Sequence, residues 1–204
     1  SKFRNAGQTC VCANRLFIHE KIYDEFLDKF TKQVKGIKVG NGLDENVTSG
    51  PLIDQYSLKK VQEHVQDAVN IGSKIAIGGD IHSLGGNFYQ PTVLYNVTSK
   101  AKITYHETFG PVAPIYKFSS DEEVINMAND TEYGLASYFY SRDIGRIWRV
   151  AEELEYGIVG VNTGLPSKAE IPFGGMKQSG LGREGSKYGL DDFLEIKYIN
   201  MAGI

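Results

Sequence analysis

The residue of this sequence best suited to covalent chemistry is Cys10. It ends the segment Phe3-Arg4-Asn5-Ala6-Gly7-Gln8-Thr9-Cys10, and Cys12 follows two residues on; the chain has no other cysteine. A thiolate sulfur is polarisable and forms near neutral pH, so a cysteine can attack a carbonyl carbon. Gly7 permits a turn that other residues resist. Such a turn could present the sulfur with its own backbone N–H aimed at a developing oxyanion. The same residue type also serves as a small buried hydrophobe, and composition leaves both readings open. Arg4 is likewise either a surface charge or a partner for a carboxylate. A metal centre is not expected. Cys-x-Cys lacks a second cysteine pair, and His19, His64, His82 and His106 are scattered without ligand spacing.

Gly180-Leu181-Gly182-Arg183-Glu184-Gly185 satisfies the Gly-x-Gly-x-x-Gly pattern. A dinucleotide fingerprint needs a hydrophobic strand before it and a helix after it. The residues before it here, Met176-Lys177-Gln178-Ser179, are polar. The motif therefore reads as a loop near a subunit interface.

The elements that must position these residues alternate between helical and extended patterns. Ile22, Phe26, Phe30 and Val34 recur four apart and predict a helix over 20–35. Glycines 36, 40, 42 and 50 mark a loop over 36–50. Leu58, Val61, Val65, Ala68 and Val69 predict a helix over 54–71, stopped by Gly72, with His64 in a structural role. Extended segments are expected at 74–77, 89–97 and 111–118; Pro91 suits an edge strand or a strand start. Ser120-Asp121-Glu122-Glu123 is a capping box opening a helix through Met127. A strand at 135–140, a helix at 144–154 and a buried strand at 158–162 follow. This order predicts an α/β fold with a largely parallel sheet flanked by helices. The alternating tail from Leu194 to Ile199 is expected to be an oligomerisation strand that pairs with a partner chain.

Bulk properties narrow the class. Of 204 residues, 41% are apolar and 23% charged, and the net charge is -3. A core can be buried, and no basic stripe suggests nucleic acid. No apolar run reaches the roughly 18 residues that span a bilayer, and no cleavable signal opens the sequence. Cys10 and Cys12, the whole cysteine complement, suit a reducing, cytoplasmic compartment. The polar start at Ser1, without Met, is expected of a chain cut from something longer or processed.

Four ordered segments carry a family resemblance. Asn5-Ala6-Gly7-Gln8-Thr9-Cys10 resembles the active-site cysteine signature of the aldehyde dehydrogenase superfamily. Gly50-Pro51-Leu52-Ile53, Glu107-Thr108-Phe109-Gly110-Pro111-Val112 and Pro172-Phe173-Gly174-Gly175-Met176-Lys177-Gln178-Ser179-Gly180 resemble its later motifs. Lys2-Phe3-Arg4, Cys10-Val11-Cys12-Ala13-Asn14-Arg15 and the run Gly180–Gly189 are more narrowly similar to succinate-semialdehyde dehydrogenases.

The resemblance implies a role for each matching residue. Cys10 is the nucleophile that forms a thiohemiacetal and then a thioester. Glu107 holds a ribose of NAD or NADP, and Phe109 packs near its nicotinamide. Phe173 lines the aldehyde pocket. Arg4 binds the far carboxylate of succinate semialdehyde, for which a planar guanidinium fork is well suited, and Ser167 is its hydroxyl partner. Cys12 is either a buried neighbour or the partner of Cys10 in a reversible disulfide. Residues 1–162 would form the catalytic domain, 163–190 a glycine-rich active-site and interface loop, and 191–204 the oligomerisation strand. The cofactor domain, the glutamate that activates water, the asparagine that completes the oxyanion hole and a second carboxylate-binding arginine would all be absent. An isolated chain of this kind is expected to turn over poorly. A glutarate-semialdehyde dehydrogenase, or an inert oligomerising module, is the alternative.

Overall fold

A computed structural model describes residues 1–166 and 168–204. The chain divides into two compact units, Ser1–Ala128 and Asn129–Ile204.

The first unit is built on a four-stranded sheet in the order β1-β4-β3-β2, with β1 at Leu16–His19, β2 at Lys74–Ile77, β3 at Thr92–Tyr95 and β4 at Val112–Phe118. β1 and β4 run parallel, with Leu16 opposite Ile115; β4 and β3 run parallel, with Thr92 opposite Val112. The edge strand β2 is antiparallel to β3. The sheet is thus largely but not wholly parallel. Pro91 stands just before β3, an inner strand, so its role is strand start rather than edge. There its missing N–H costs no ladder bond.

Helix α1 (Tyr23–Lys35) and helix α2 (Gln55–Asn70) have separate apolar clusters. Phe26, Leu27, Phe30 and Val34 of α1 pack with Leu16, Ile18, Val93 and Ile115. Leu58, Val61, Val65 and Ala68 of α2 pack with Phe17, Leu94, Val112 and Tyr116. Adjacent residues such as Val93 and Leu94 fall in different clusters because strand side chains alternate between faces. Burial on both faces is why Val112–Tyr116 contains no charged residue. Helix α1 departs from the expected face at its start: Ile22 is exposed and Tyr23 is buried. A 3-10 turn at Glu20–Ile22 precedes the helix and rotates the pattern by one position. The Tyr23 hydroxyl accepts the Asn96 N–H at 3.0 Å.

Helix α1 starts without a side-chain cap, whereas α2 is capped at both ends. Asp54 accepts the Ser57 N–H at 2.7 Å. At the other end of α2, Gly72 takes φ +106 and Ser73 N–H donates to the Ala68 carbonyl at 2.9 Å, a left-handed stop. A short helix α3 (Lys102–Tyr105) and helix α4 (Asp121–Asn129) complete this region. The expected capping box closes at α4. Glu123 N–H donates to Ser120 Oγ at 3.2 Å, and its carboxylate reaches back to the Ser119 N–H at 2.7 Å.

In the second unit, strand β6 (Ala136–Phe139), helix α5 (Ile144–Glu153) and strand β7 (Ile158–Val161) make a parallel crossover. Two-residue strands β5 (Tyr133–Gly134) and β8 (Met176–Lys177) pair antiparallel. Its apolar core is small: Val150, Leu154 and Ile158 are buried. Among the described residues, the chain from Leu194 onward has no ladder partner, and Ile196, Tyr198 and Ile199 are exposed. Among the described residues no helix is long and apolar enough to cross a membrane.

Candidate active site

The parallel pairing of β1 with β4 decides where the candidate residues gather. The cysteine segment leads into β1, and Glu107–Pro111 leads into β4. Because the two strands are adjacent and run the same way, both lead-in segments leave the same end of the sheet.

The cysteine segment opens with an unusual backbone. Asn5 (φ 51, ψ 42), Ala6 (φ 54, ψ 33) and Gly7 (φ +76) are successively left-handed. Asparagine and glycine tolerate this region; for alanine it costs about 1–2 kcal/mol. Packing and hydrogen bonds hold it. Ala6 is buried. Asn5 Nδ2 donates to the Gln8 carbonyl at 3.0 Å, and the Gln8 N–H donates to the Asn5 carbonyl at 3.0 Å. A β-carbon on Gly7 would stand 2.0 Å from the Gly110 carbonyl oxygen, so only glycine fits.

Gln8 fastens this turn to a distant loop. Its Nε2 donates to the Asn5 carbonyl at 3.1 Å and to the Pro51 carbonyl at 3.2 Å. Its Oε1 accepts the Ile53 N–H at 2.9 Å. The next turn follows at once, with Cys12 N–H donating to the Thr9 carbonyl at 2.8 Å. Within it Val11 is buried while Cys10 is exposed. Anchoring Val11 turns its neighbour outward. Both cysteines are free. Cys12 Sγ lies 3.7 Å from the Arg4 carbonyl, within reach of a weak S–H bond. The Arg4 residue is exposed.

Across from this turn, Glu107 is exposed, Thr108 fully buried and Phe109 half-buried. Phe109 is left-handed at φ 49. The Thr108 N–H donates to Asn14 Oδ1 at 3.3 Å, and Thr108 Oγ1 pairs with His64 Nδ1 at 3.0 Å. Lys2 is buried, which pulls its amine down to about 8 against the opposing influence of Cys12 and Glu107.

In the second unit Phe173 is half-buried and bridged to Glu184, each N–H donating to the other's carbonyl at 2.8 and 2.7 Å. The Gly180–Gly185 motif follows the two-residue β8 and precedes a 3-10 helix, Lys187–Phe193. Arg183 donates to the Gly175 and Gly182 carbonyls at 2.8 and 2.7 Å. This is a loop braced by its own side chains, as expected, and not a strand-to-helix phosphate cradle. Among the described residues no group of histidine, cysteine, aspartate or glutamate could hold a metal.

The family model for the aldehyde dehydrogenase family matches residues 1–199. The chain belongs to that family. Three relatives are a 3-sulfolactaldehyde dehydrogenase of Pseudomonas putida (56% identical, 100% of this chain, 42% of the relative), a glutarate-semialdehyde dehydrogenase of Pseudomonas aeruginosa (57%, 100% and 42%) and the NADP(+) succinate-semialdehyde dehydrogenase GabD of Escherichia coli (57%, 98% and 41%). A crystal structure of succinate-semialdehyde dehydrogenase from Burkholderia pseudomallei superposes with a TM-score of 0.96 at 56% identity, over 98% of this chain and 41% of that one. The chain spans about two fifths of the length of the relatives it matches.

Set in this family, the first unit joins the segments of Cys10, Cys12, Arg4, Glu107 and Phe109 through two contacts, Gly7 with Gly110 and Asn14 with Thr108. Phe173 belongs to the second unit. Ser167 lies outside the described residues. Three residues that build this candidate site, Gln8, Asn14 and Thr108, have no role in the sequence-based reading. The signal for Gln8 and Asn14 was their amide chemistry beside the cysteine. Most side-chain hydrogen bonds go to backbone groups or water. Nothing in the local sequence marks Lys2 as buried.

Proposed function

We propose that this chain is the nucleophile-bearing part of an NAD(P)-dependent semialdehyde dehydrogenase acting on succinate semialdehyde. The observation that carries the proposal is the exposure of Cys10 at a turn fixed by Gly7, Gln8 and buried Val11. A structural cysteine would be buried; a nucleophile must meet its substrate.

The Cys10 sulfur adds to the aldehyde carbon, and the carbonyl electron pair moves to oxygen, where the Cys10 backbone N–H is one donor. Oxidation at that carbon leaves a thioester on Cys10. Water then releases the acid and restores the thiol. A dinucleotide held by Glu107 and Phe109 would be the two-electron oxidant that takes the hydride. Exposed Glu107 suits hydrogen bonds to ribose hydroxyls, and half-buried Phe109 suits packing against a nicotinamide. Exposed Arg4 suits a terminal carboxylate. Phe173, and Ser167 by sequence match, belong to the aldehyde side. The exposed tail from Leu194 would pair with a second copy.

A second reading is oxidation of glutarate semialdehyde, favoured by the relative named for it. The 3-sulfolactaldehyde relative also acts on an aldehyde with a terminal anion. Steady-state kinetics of the complete protein with the three aldehydes, each with NAD and NADP, separates these. Succinate semialdehyde is expected to give the highest kcat/KM, and Cys10→Ala to lower it by about 10⁴-fold or more. Undiminished oxidation by Cys10→Ala would refute the mechanism. Arg4→Gln should raise KM for all three anionic aldehydes and leave a neutral aldehyde unaffected.

A further inference from the structure

We infer that Thr108, clamped between His64 and Asn14, is the positioning residue for the dinucleotide-facing pair Glu107 and Phe109. The inference rests on the dehydrogenase reading above.

Thr108 is held at its main-chain N–H and at its hydroxyl. Its main-chain N–H donates to Asn14 Oδ1 at 3.3 Å, and its Oγ1 pairs with His64 Nδ1 at 3.0 Å. The two partners come from different elements. Asn14 follows the cysteine turn and is itself fixed by donating Nδ2 to the Ile103 carbonyl at 3.3 Å. His64 lies inside α2, is 5% exposed, and has the His106 ring 6.3 Å away. Thr108 is fully buried, whereas Glu107 is exposed and Phe109 half-buried. A buried pair of polar side chains inside an apolar cluster is costly unless satisfied. Here each satisfies the other. An isosteric valine would fill the same space without that requirement.

What the hydroxyl adds is direction. With Thr108 pinned at main chain and side chain, residues 107 and 109 have one set of exit vectors. Just beyond them, Phe109 is left-handed and Gly110 touches Gly7. The clamp thus holds the Glu107–Phe109 pair in fixed register with the cysteine turn through Asn14. A misplacement of about 1 Å at such a site can cost about 10²-fold.

The test uses the complete protein with Thr108→Val and Thr108→Ser. Dissociation constants for NADH and NADPH are read from nicotinamide fluorescence, beside KM for oxidised dinucleotide and aldehyde. Thr108→Val is expected to weaken dinucleotide binding about tenfold, to leave aldehyde KM within about twofold, and to speed amide hydrogen exchange over residues 106–110. Thr108→Ser, which keeps the hydroxyl, is expected to restore dinucleotide affinity and slow exchange over 106–110. Should Thr108→Val not fold, His64→Leu replaces it with the same expectations. Dinucleotide affinity equal to the parent's in Thr108→Val or His64→Leu overturns the inference, as does exchange unchanged over 106–110. A parent that binds NADPH or NADH yet oxidises no aldehyde refutes the dehydrogenase reading alone, and the affinity comparison still decides the clamp. A parent that binds neither dinucleotide overturns both.

Discussion

The carbonyl oxygen of Gly110 fills the place a β-carbon on Gly7 would need, 2.0 Å from its ideal position. This contact joins the lead-ins of two adjacent parallel strands backbone to backbone, so no side-chain rotation can relieve an intrusion. Gly7→Ala is therefore expected to cost about 4 kcal/mol or more, from left-handed strain and from displaced main chain together. Urea unfolding measures it; a midpoint near the parent's would show that the turn yields.

Gln8→Leu removes three hydrogen bonds from the turn. Because Gln8 and its surroundings are partly exposed, water replaces some of the loss, and a cost of about 1–2 kcal/mol is expected. The larger effect should be on the thiol. Alkylation of Cys10 by iodoacetamide is expected to change severalfold relative to Cys12, because the turn presenting it has lost its tether to Pro51 and Ile53. Gln8→Glu keeps the acceptor for Ile53 and loses the donors, so it should fall between.

Burial holds His64 below the ordinary imidazole range, with Lys60, His106 and Lys102 acting in the same direction and Asp67 against it. A depressed folded value means that the unfolded chain binds the proton first. Stability from this group is complete above about 6.5 and declines as pH falls through the folded value. Melting temperature should drop below pH 6.5 with a steeper slope in the parent than in His64→Gln. Parallel profiles would remove His64 as the source.

Lys2 obeys the same rule at the alkaline end. With its folded value near 8 and an ordinary value of 10.5, the unfolded chain retains a proton that the folded chain has released between those limits. Stability from this group accordingly climbs as pH rises from 8 to 10.5 and is least below 8. Lys2→Met is expected to raise the melting temperature at pH 7 and to flatten that climb. A lower melting temperature in Lys2→Met would mean that its charge is repaid by a partner.

Ile196 and Tyr198 are fully or almost fully exposed. If the tail pairs with another copy, Ile196→Lys with Tyr198→Lys should shift the complete protein to a smaller species in light scattering. An unchanged mass would place the contact elsewhere.

Sequence periodicity made the longer helices and most strands legible, though not the short α3, because burial on one or two faces writes itself into residue spacing. The extent of helix α2 matches the expected 54–71 stopped by Gly72, while its aspartate cap and left-handed end emerge only in the structure. Strand β1 was not visible, since Leu16-Phe17-Ile18-His19 is too short for a periodic signal beside the cysteine motif. The rotation of α1 from Ile22 to Tyr23 depends on a 3-10 turn, which spacing alone does not reveal. At the candidate site Cys10 and Gly7 stood out by residue type, but only the family resemblance favoured a nucleophile over a small buried hydrophobe. The tether through Gln8 and the clamp on Thr108 were not, because their partners lie 43–45 and 44–94 residues away in sequence.

Gln8 grips only main-chain atoms of the 51–53 loop, the Pro51 carbonyl and the Ile53 N–H. The Ile53 side chain is left pointing to solvent, 81% exposed. Identity at position 53 is thereby decoupled from the geometry of the thiol. A cysteine-free reporter group, a charge or a bulky ring could be grafted there to sense or shield the neighbouring surface, while the tether stays as it is.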